Sequence, residues 1–262
     1  MRTHGQQSRT IATGMAGDLR WGGRRAAMRP TSWWPDVVAA AAFAALTVAL
    51  IRVPALLRLD VAVRDRVDAH RPPPLRWTVV LMEYLGQGGP VMVVTLVVGF
   101  VLAWRERSVR PIGPAGLAPI LTTASIVPLK DYTERGSPHY GPVALFSGPG
   151  HVEYPSGHVN NGVVYYGTLA LLLAPYLAGP VRAALRWVPP VLVAVGTTYV
   201  AHHWLTDAVA GFLLGFVLIR LSLRVPWGRI PLPAALDRRP RSPSRPAAAL
   251  HQPGRFGPGG PG

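Results

Sequence analysis

The sequence predicts an all-α fold, a six-span transmembrane helical bundle carried between two disordered cytoplasmic tails, and three observations lead there. Of 262 residues, 49% are hydrophobic and only 15% charged, a balance too apolar for an ordinary soluble domain. Six runs approach the roughly 20 helical residues that cross about 30 Å of hydrocarbon. The net charge of +15 sits mostly in the two ends of the chain and in short connections between those runs. Basic residues placed in this way, not along one helix or among stacking aromatics, argue against a nucleic-acid partner. The absence of cysteine excludes disulfides, thiolate metal sites and cysteine nucleophiles.

Residues 1–32 carry Arg2, Arg9, Arg20, Arg24, Arg25 and Arg29 against Asp18 and have little to pack, so they read as a disordered basic tail. The membrane domain covers residues 33–223. Its first span, residues 37–51, is lengthened by Trp33, Trp34 and residues 53–57. The second run, residues 77–104, is long for one crossing. Glu83, Gly86, Gly88, Gly89 and Pro90 within it suggest a short lead-in helix before the true span. The third, residues 112–129, mixes Gly, Pro and Thr with its apolar residues. Residues 161–177, 188–201 and 208–223 complete the set, the last with Arg220 placed to snorkel. Residues 224–262 are rich in Pro, Arg, Ala and Gly and form the second disordered tail.

Basic residues flanking spans mark the cytoplasmic side, so both tails are expected there. An even number of spans allows it, and Arg105, Arg107, Arg110, Arg182 and Arg186 then fall in the two inner loops. The first outer loop, with Arg58, Arg64, Arg66, Arg71 and Arg76 partly balanced by Asp60, Asp65 and Asp68, runs against the rule.

In that orientation three polar clusters reach the same extracytoplasmic end. The first begins at Lys130, the only lysine in a chain whose other basic residues are all arginine, and runs to Arg135. The second is Tyr154-Pro155-Ser156-Gly157-His158. Pro and Ser there suit a helix start, whose free N–H groups make an anion site that Gly157 leaves open to close approach. The third is His202-His203-Trp204-Leu205-Thr206-Asp207. His203 and Asp207 stand four apart, within reach of each other, and a carboxylate at the start of a span calls for a partner such as an imidazole N–H. That pairing orients the ring and raises its nucleophilicity. Two imidazoles, an orienting carboxylate, two cations and a helix N-terminus suit phosphoryl transfer from an ester to histidine, and nothing in the set demands a metal or another cofactor.

These residues resemble the type 2 phosphatidic acid phosphatase superfamily, six-span membrane enzymes that dephosphorylate lipid phosphates and share a site with vanadium haloperoxidases. The resemblance covers about residues 57–222, and its most specific pieces are Pro155-Ser156-Gly157-His158 and the His203, Trp204, Asp207 trio. It implies that His203 is the nucleophile, that Asp207 orients it, and that His158 protonates the leaving alkoxide. Lys130, Ser156 and Gly157 then hold the phosphate. Two positions depart from the family pattern. Ser137-Pro138 stands where an Arg-Pro is usual, with Arg135 the nearest arginine to substitute, and Thr197 replaces an arginine six residues before His203.

The function implied is a metal-independent lipid-phosphate phosphohydrolase in the cell membrane, with the bilayer and a lipid phosphate as its partners. Phosphatidic acid, prenyl diphosphates and phosphatidylglycerol phosphate all suit such a site. Two alternatives stay open: a phosphotransferase using the same residues, and a catalytically impaired relative that binds anionic lipid or a membrane partner. Oligomeric state has no signature in the sequence.

Overall fold

The structure, a computed structural model, describes residues 21–238 apart from 22, 71 and 149–151. The described residues form eight α-helices and no β-strand. They are α1 (Trp34–Arg52), α2 (Pro54–Ala69), α3 (Pro73–Tyr84), α4 (Gly88–Glu106), α5 (Ile112–Thr133), α6 (Gly157–Leu172), α7 (Gly179–Tyr199) and α8 (Leu205–Arg224).

Local sequence explains the boundaries. Pro54 forces Val53 into an extended conformation, so α1 stops at Arg52 and a new helix begins. Residues 53–57 therefore do not lengthen the first span as expected. They open α2, whose arginines and aspartates read as a loop in the sequence. The long second run does split as anticipated, with α3 as the lead-in helix and α4 as the apolar one, separated at residues 85–87. Pro119 and Pro128 lie within α5 without ending it.

By length and composition, α1, α4, α5 and α8 are able to cross a membrane, four helices where the sequence suggested six spans. The difference lies in α6, which has 16 residues, and in α7, which carries Arg182 and Arg186 near its start. Helix α6 forms the centre of the bundle, mostly buried and packed against α4, α5, α7 and α8. Helix α4 instead exposes Val93, Val94, Val97, Phe100 and Val101, a face suited to lipid. Trp33, Trp34 and Trp104 are exposed at one end of the bundle and Trp77, Tyr132 and Tyr140 at the other, the distribution of two interfacial aromatic belts.

The first of these ends is ordered further than the sequence suggested. Arg25 is buried between Glu106, 2.6 Å away, and the Leu172 carbonyl, and the Trp21 ring lies 4.4 Å from its guanidinium. Arg110 binds Asp237 at 3.0 Å, and Arg220 and Arg224 both bind Asp36. Packing does not stop at residues 32 and 224: residues 21–32 and 224–238 contain segments packed onto the bundle, where Arg25 finds Glu106 and the Leu172 carbonyl and Arg224 finds Asp36 and the Ser32 carbonyl. The disorder expected of residues 1–20 and 239–262 lies outside the described residues.

Candidate active site

At the opposite end, the last turn of α5 supplies Lys130, and the loop that follows supplies Arg135, Glu153 and Ser156. His158 stands in the first turn of α6, His202 and His203 in the turn before α8, and Asp207 in the first turn of α8. Backbone contacts fix these pieces to one another. Glu153 N–H donates to the Arg135 carbonyl at 3.0 Å, and Ser156 N–H to the Asp207 carbonyl at 3.0 Å. The Ser156 hydroxyl caps α6 by accepting from Val159 N–H. Gly211 makes the α6–α8 approach possible, because a Cβ there would overlap the Ser156 carbonyl. The turn that carries the histidines is tied down by His202 and His203 N–H, which donate to the Thr197 carbonyl at 3.0 and 3.3 Å. Trp204 Nε1–H donates to the Gly136 carbonyl at 2.7 Å.

The two imidazoles face each other. His158 Nδ1 lies 3.4 Å from His203 Nε2, with the rings nearly edge to face. Behind His203, Nδ1 lies 3.2 Å from Glu153 Oε2 and 3.8 Å from Asp207 Oδ2, neither contact having hydrogen-bond alignment. Carboxylates on that side favour the proton on Nδ1 and leave the Nε2 lone pair turned toward His158. Lys130 Nζ is 3.5 Å from the same Glu153 oxygen. Its Cε passes the start of α6 so closely that a Cβ on Gly157 would lie 3.9 Å away. Lys130, Glu153 and the first N–H groups of α6 thus border one side of the histidine pair.

Arg135, expected among the phosphate ligands, does not stand at that border. It is fully buried. Its Nη1 donates to Asp207 Oδ1 and, at 2.8 Å, to Thr206 Oγ1; Nη2 donates to Asp60 Oδ2 at 2.6 Å; Nε donates to the Val143 carbonyl at 2.7 Å. Asp60 also accepts from Thr206 N–H at 3.0 Å, and Asp207 Oδ2 accepts from Trp204 N–H at 3.1 Å. A guanidinium with every nitrogen engaged by buried oxygens has no fork to offer a ligand. Asp207 is consequently held chiefly by Arg135 and the start of its own helix, and Glu153 is the carboxylate nearer to His203. Thr197 does not replace the missing arginine either, since its hydroxyl returns to the Val193 carbonyl of its own helix at 2.9 Å.

Sequence reasoning missed the placement of three acids, Glu153 beside His203, Asp60 and Glu83. Asp60 comes from α2 and Glu83 from α3, both far in sequence from the clusters around Lys130, His158 and His203. Glu83 Oε1 lies 2.6 Å from His202 Nδ1 and 3.7 Å from His158 Nε2. His202 thus turns to Glu83, not toward the face of His203. Burial pushes the Glu83 carboxyl up, but the His202 hydrogen bond and the charges of His202, His158 and His203 outweigh it and hold the group below its ordinary value. The available signal was scarcity: with 12 acids in 262 residues, an acid inside or beside an apolar run calls for a partner. Among the described residues, no group of three or more His, Asp or Glu is arranged to hold a metal ion.

Residues 112–231 match the family model of the PAP2 superfamily. Phosphatidylglycerophosphatase B of Bacillus subtilis (strain 168) is 32% identical over 98 residues, 36% of this chain and 47% of that protein. The match spans about half of that relative's length. The crystal structure described as the first transmembrane PAP2 type phosphatidylglycerolphosphate phosphatase from Bacillus subtilis is similar in fold. Its TM-score is 0.62 at 23% identity, covering 73% of this chain and 94% of that one.

Proposed function

We propose that this chain is an integral membrane lipid-phosphate phosphohydrolase acting through a phosphohistidine, a reading supported by the match of residues 112–231 to the PAP2 superfamily model. The observation that carries the reading is the pair of facing imidazoles, His203 Nε2 and His158 Nδ1, 3.4 Å apart beside Lys130 and the start of α6, with a carboxylate behind each ring. A phosphate entering between the rings meets a nucleophilic lone pair on one side and a proton donor on the other.

The steps follow from those positions. His203 Nε2 attacks phosphorus and the ester P–O bond breaks. His158 Nδ1 gives its proton to the departing alkoxide. Water then attacks the phosphohistidine, the P–N bond breaks back to His203, and His158 takes up the water's proton. Lys130, the capped α6 start at Ser156 and the open approach at Gly157 hold the phosphate oxygens, roles that need no metal. Glu153 and Asp207 keep the His203 proton on Nδ1, with Asp207 fixed in turn by Arg135.

In the membrane, α1, α4, α5, α6, α7 and α8 make six crossings with α3 as the lead-in to the second. Helix α6 alone is short, about 24 Å, because protein instead of lipid surrounds it. The arginine-rich end faces the cytoplasm together with both tails, and the histidine pair opens on the extracytoplasmic side. The name of the Bacillus relative makes phosphatidylglycerol phosphate the first substrate to try, with phosphatidic acid and prenyl diphosphates beside it.

One observation favours a second reading, an impaired relative that binds anionic lipid: neither Arg135 nor Thr197 brings a guanidinium to the phosphate position. Phosphate release by detergent-purified protein across that lipid panel, with and without acceptor alcohols, separates the readings. Release to water supports the hydrolase, phosphorylated alcohol a transferase, and lipid binding without turnover the impaired relative.

A further inference from the structure

Two carboxylates stand behind His203, and a third, Glu83, stands behind His158 with no part in the steps above. Its position is built with some care. Helix α3 ends just after it, and Gly86 lies against the backbone of α6, where a Cβ would come within 2.6 Å of the His158 carbonyl oxygen. The side chain is largely buried, with 11% of its surface accessible, and one oxygen, Oε1, faces both His202 Nδ1 at 2.6 Å and His158 Nε2 at 3.7 Å. His202 is 60% accessible and so connects the buried acid to the solvent side.

We propose that Glu83 is the positioning residue of His158: oriented by His202, it keeps His158 turned with Nδ1 toward the leaving oxygen and favours the imidazolium that has a proton to give. The inference rests on His158 acting as the acid of the phosphatase reading. An imidazole that faces the His203 lone pair through Nδ1 and a carboxylate through Nε2 satisfies both neighbours only when both nitrogens carry protons. That form is the general acid. The gap to Glu83 closes to hydrogen-bond length with a ring movement of about 0.8 Å, of the kind that accompanies substrate binding. The other titratable groups facing this pair are His203 from the turn before α8 and Lys130 from α5. Burial above all, and then the neighbouring His203, Lys130 and His202, oppose a charge on His158, and Glu83 is the group that offsets them.

The test uses the full-length protein in detergent, with an alkyl phosphate lipid and an aryl phosphate whose leaving group needs little protonation. Glu83→Gln is expected to lower kcat about 10- to 100-fold on the alkyl substrate while changing the aryl rate by less than about threefold. Its alkaline limb on the alkyl substrate should move about one pH unit lower, because the imidazolium loses its stabilising charge. His202→Ala, at an exposed position, should give a smaller loss with the same preference for the alkyl substrate. Equal losses on both substrates, or an alkaline limb that stays in place in both variants, overturns the role of Glu83 and leaves the phosphatase reading standing. A wild-type protein that releases no phosphate from either substrate overturns both.

Discussion

Replacing Arg135 by alanine separates a structural arginine from a phosphate ligand. In the structure Arg135 is fully buried and bridges Asp60 of α2 to Asp207 of α8, with further bonds to Thr206 and the Val143 carbonyl. Removing it leaves two buried carboxylates without their cation. Breaking a buried ion pair from one side costs about 3–5 kcal/mol. Asp60 keeps two hydrogen bonds from Thr206, at 3.0 and 2.5 Å, so the loss should not double. For a domain of this size each kcal/mol moves Tm by roughly 2–4 °C, giving an expected fall of roughly 6–20 °C. Circular dichroism melting in detergent measures it. Lys130→Ala provides the contrast: its ion pair with Glu153 is partly exposed and long at 3.5 Å, so stability should change by less than about 1 kcal/mol. Its activity should fall about 10- to 100-fold for the lost charge-assisted contact. An Arg135→Ala protein that melts with the wild type, and shows only a raised KM, refutes the buried network and returns Arg135 to the phosphate.

Other substitutions probe the remaining contacts. Gly211→Val should destabilise the protein and lower activity together, since its side chain meets the Ser156 carbonyl and pushes the cap of α6 away from α8; melting and turnover that both match wild type would contradict that packing. Glu153→Gln should lower kcat by about 10-fold or more by loosening the His203 tautomer, with a larger effect than its small surface pair would have on stability. Chelators should leave turnover intact, and an activity lost to chelation and restored by a divalent ion would count against the Lys130 and helix-start scheme. Reporters fused after Ile230 and within residues 140–148 should read cytoplasmic and extracytoplasmic respectively, and a cytoplasmic loop reporter would invert the orientation.

Much of the architecture was legible because lipid demands long apolar runs, and the glycines and Pro90 after Glu83 marked the break between α3 and α4. Helix α2 was not legible, since its arginines and aspartates look like a loop until Asp60 is seen to turn inward. The motif residues Lys130, Ser156, Gly157, His158 and His203 come together as their local sequence suggested. The i,i+4 relation of His203 and Asp207 was also readable, but it fixes only proximity. Whether Asp207 turns to the imidazole or to Arg135 depends on α2 and on the loop after α5, which are brought in by tertiary packing. The placement of Glu153 and Glu83 beside the imidazoles was not legible for the same reason: His203 lies 50 residues from Glu153 and His158 lies 75 from Glu83, beyond any local spacing rule.

The most direct test of the mechanism is a phosphoenzyme trap. Purified protein is mixed with a substrate labelled in its phosphate, quenched within a turnover, and the acid-labile, protein-bound label is located by peptide mapping. Label on His203 that disappears in His203→Ala is the expected result, with His158→Ala still able to acquire label from an aryl phosphate. Turnover that persists in His203→Ala, or label found on another residue, would contradict His203 as the nucleophile.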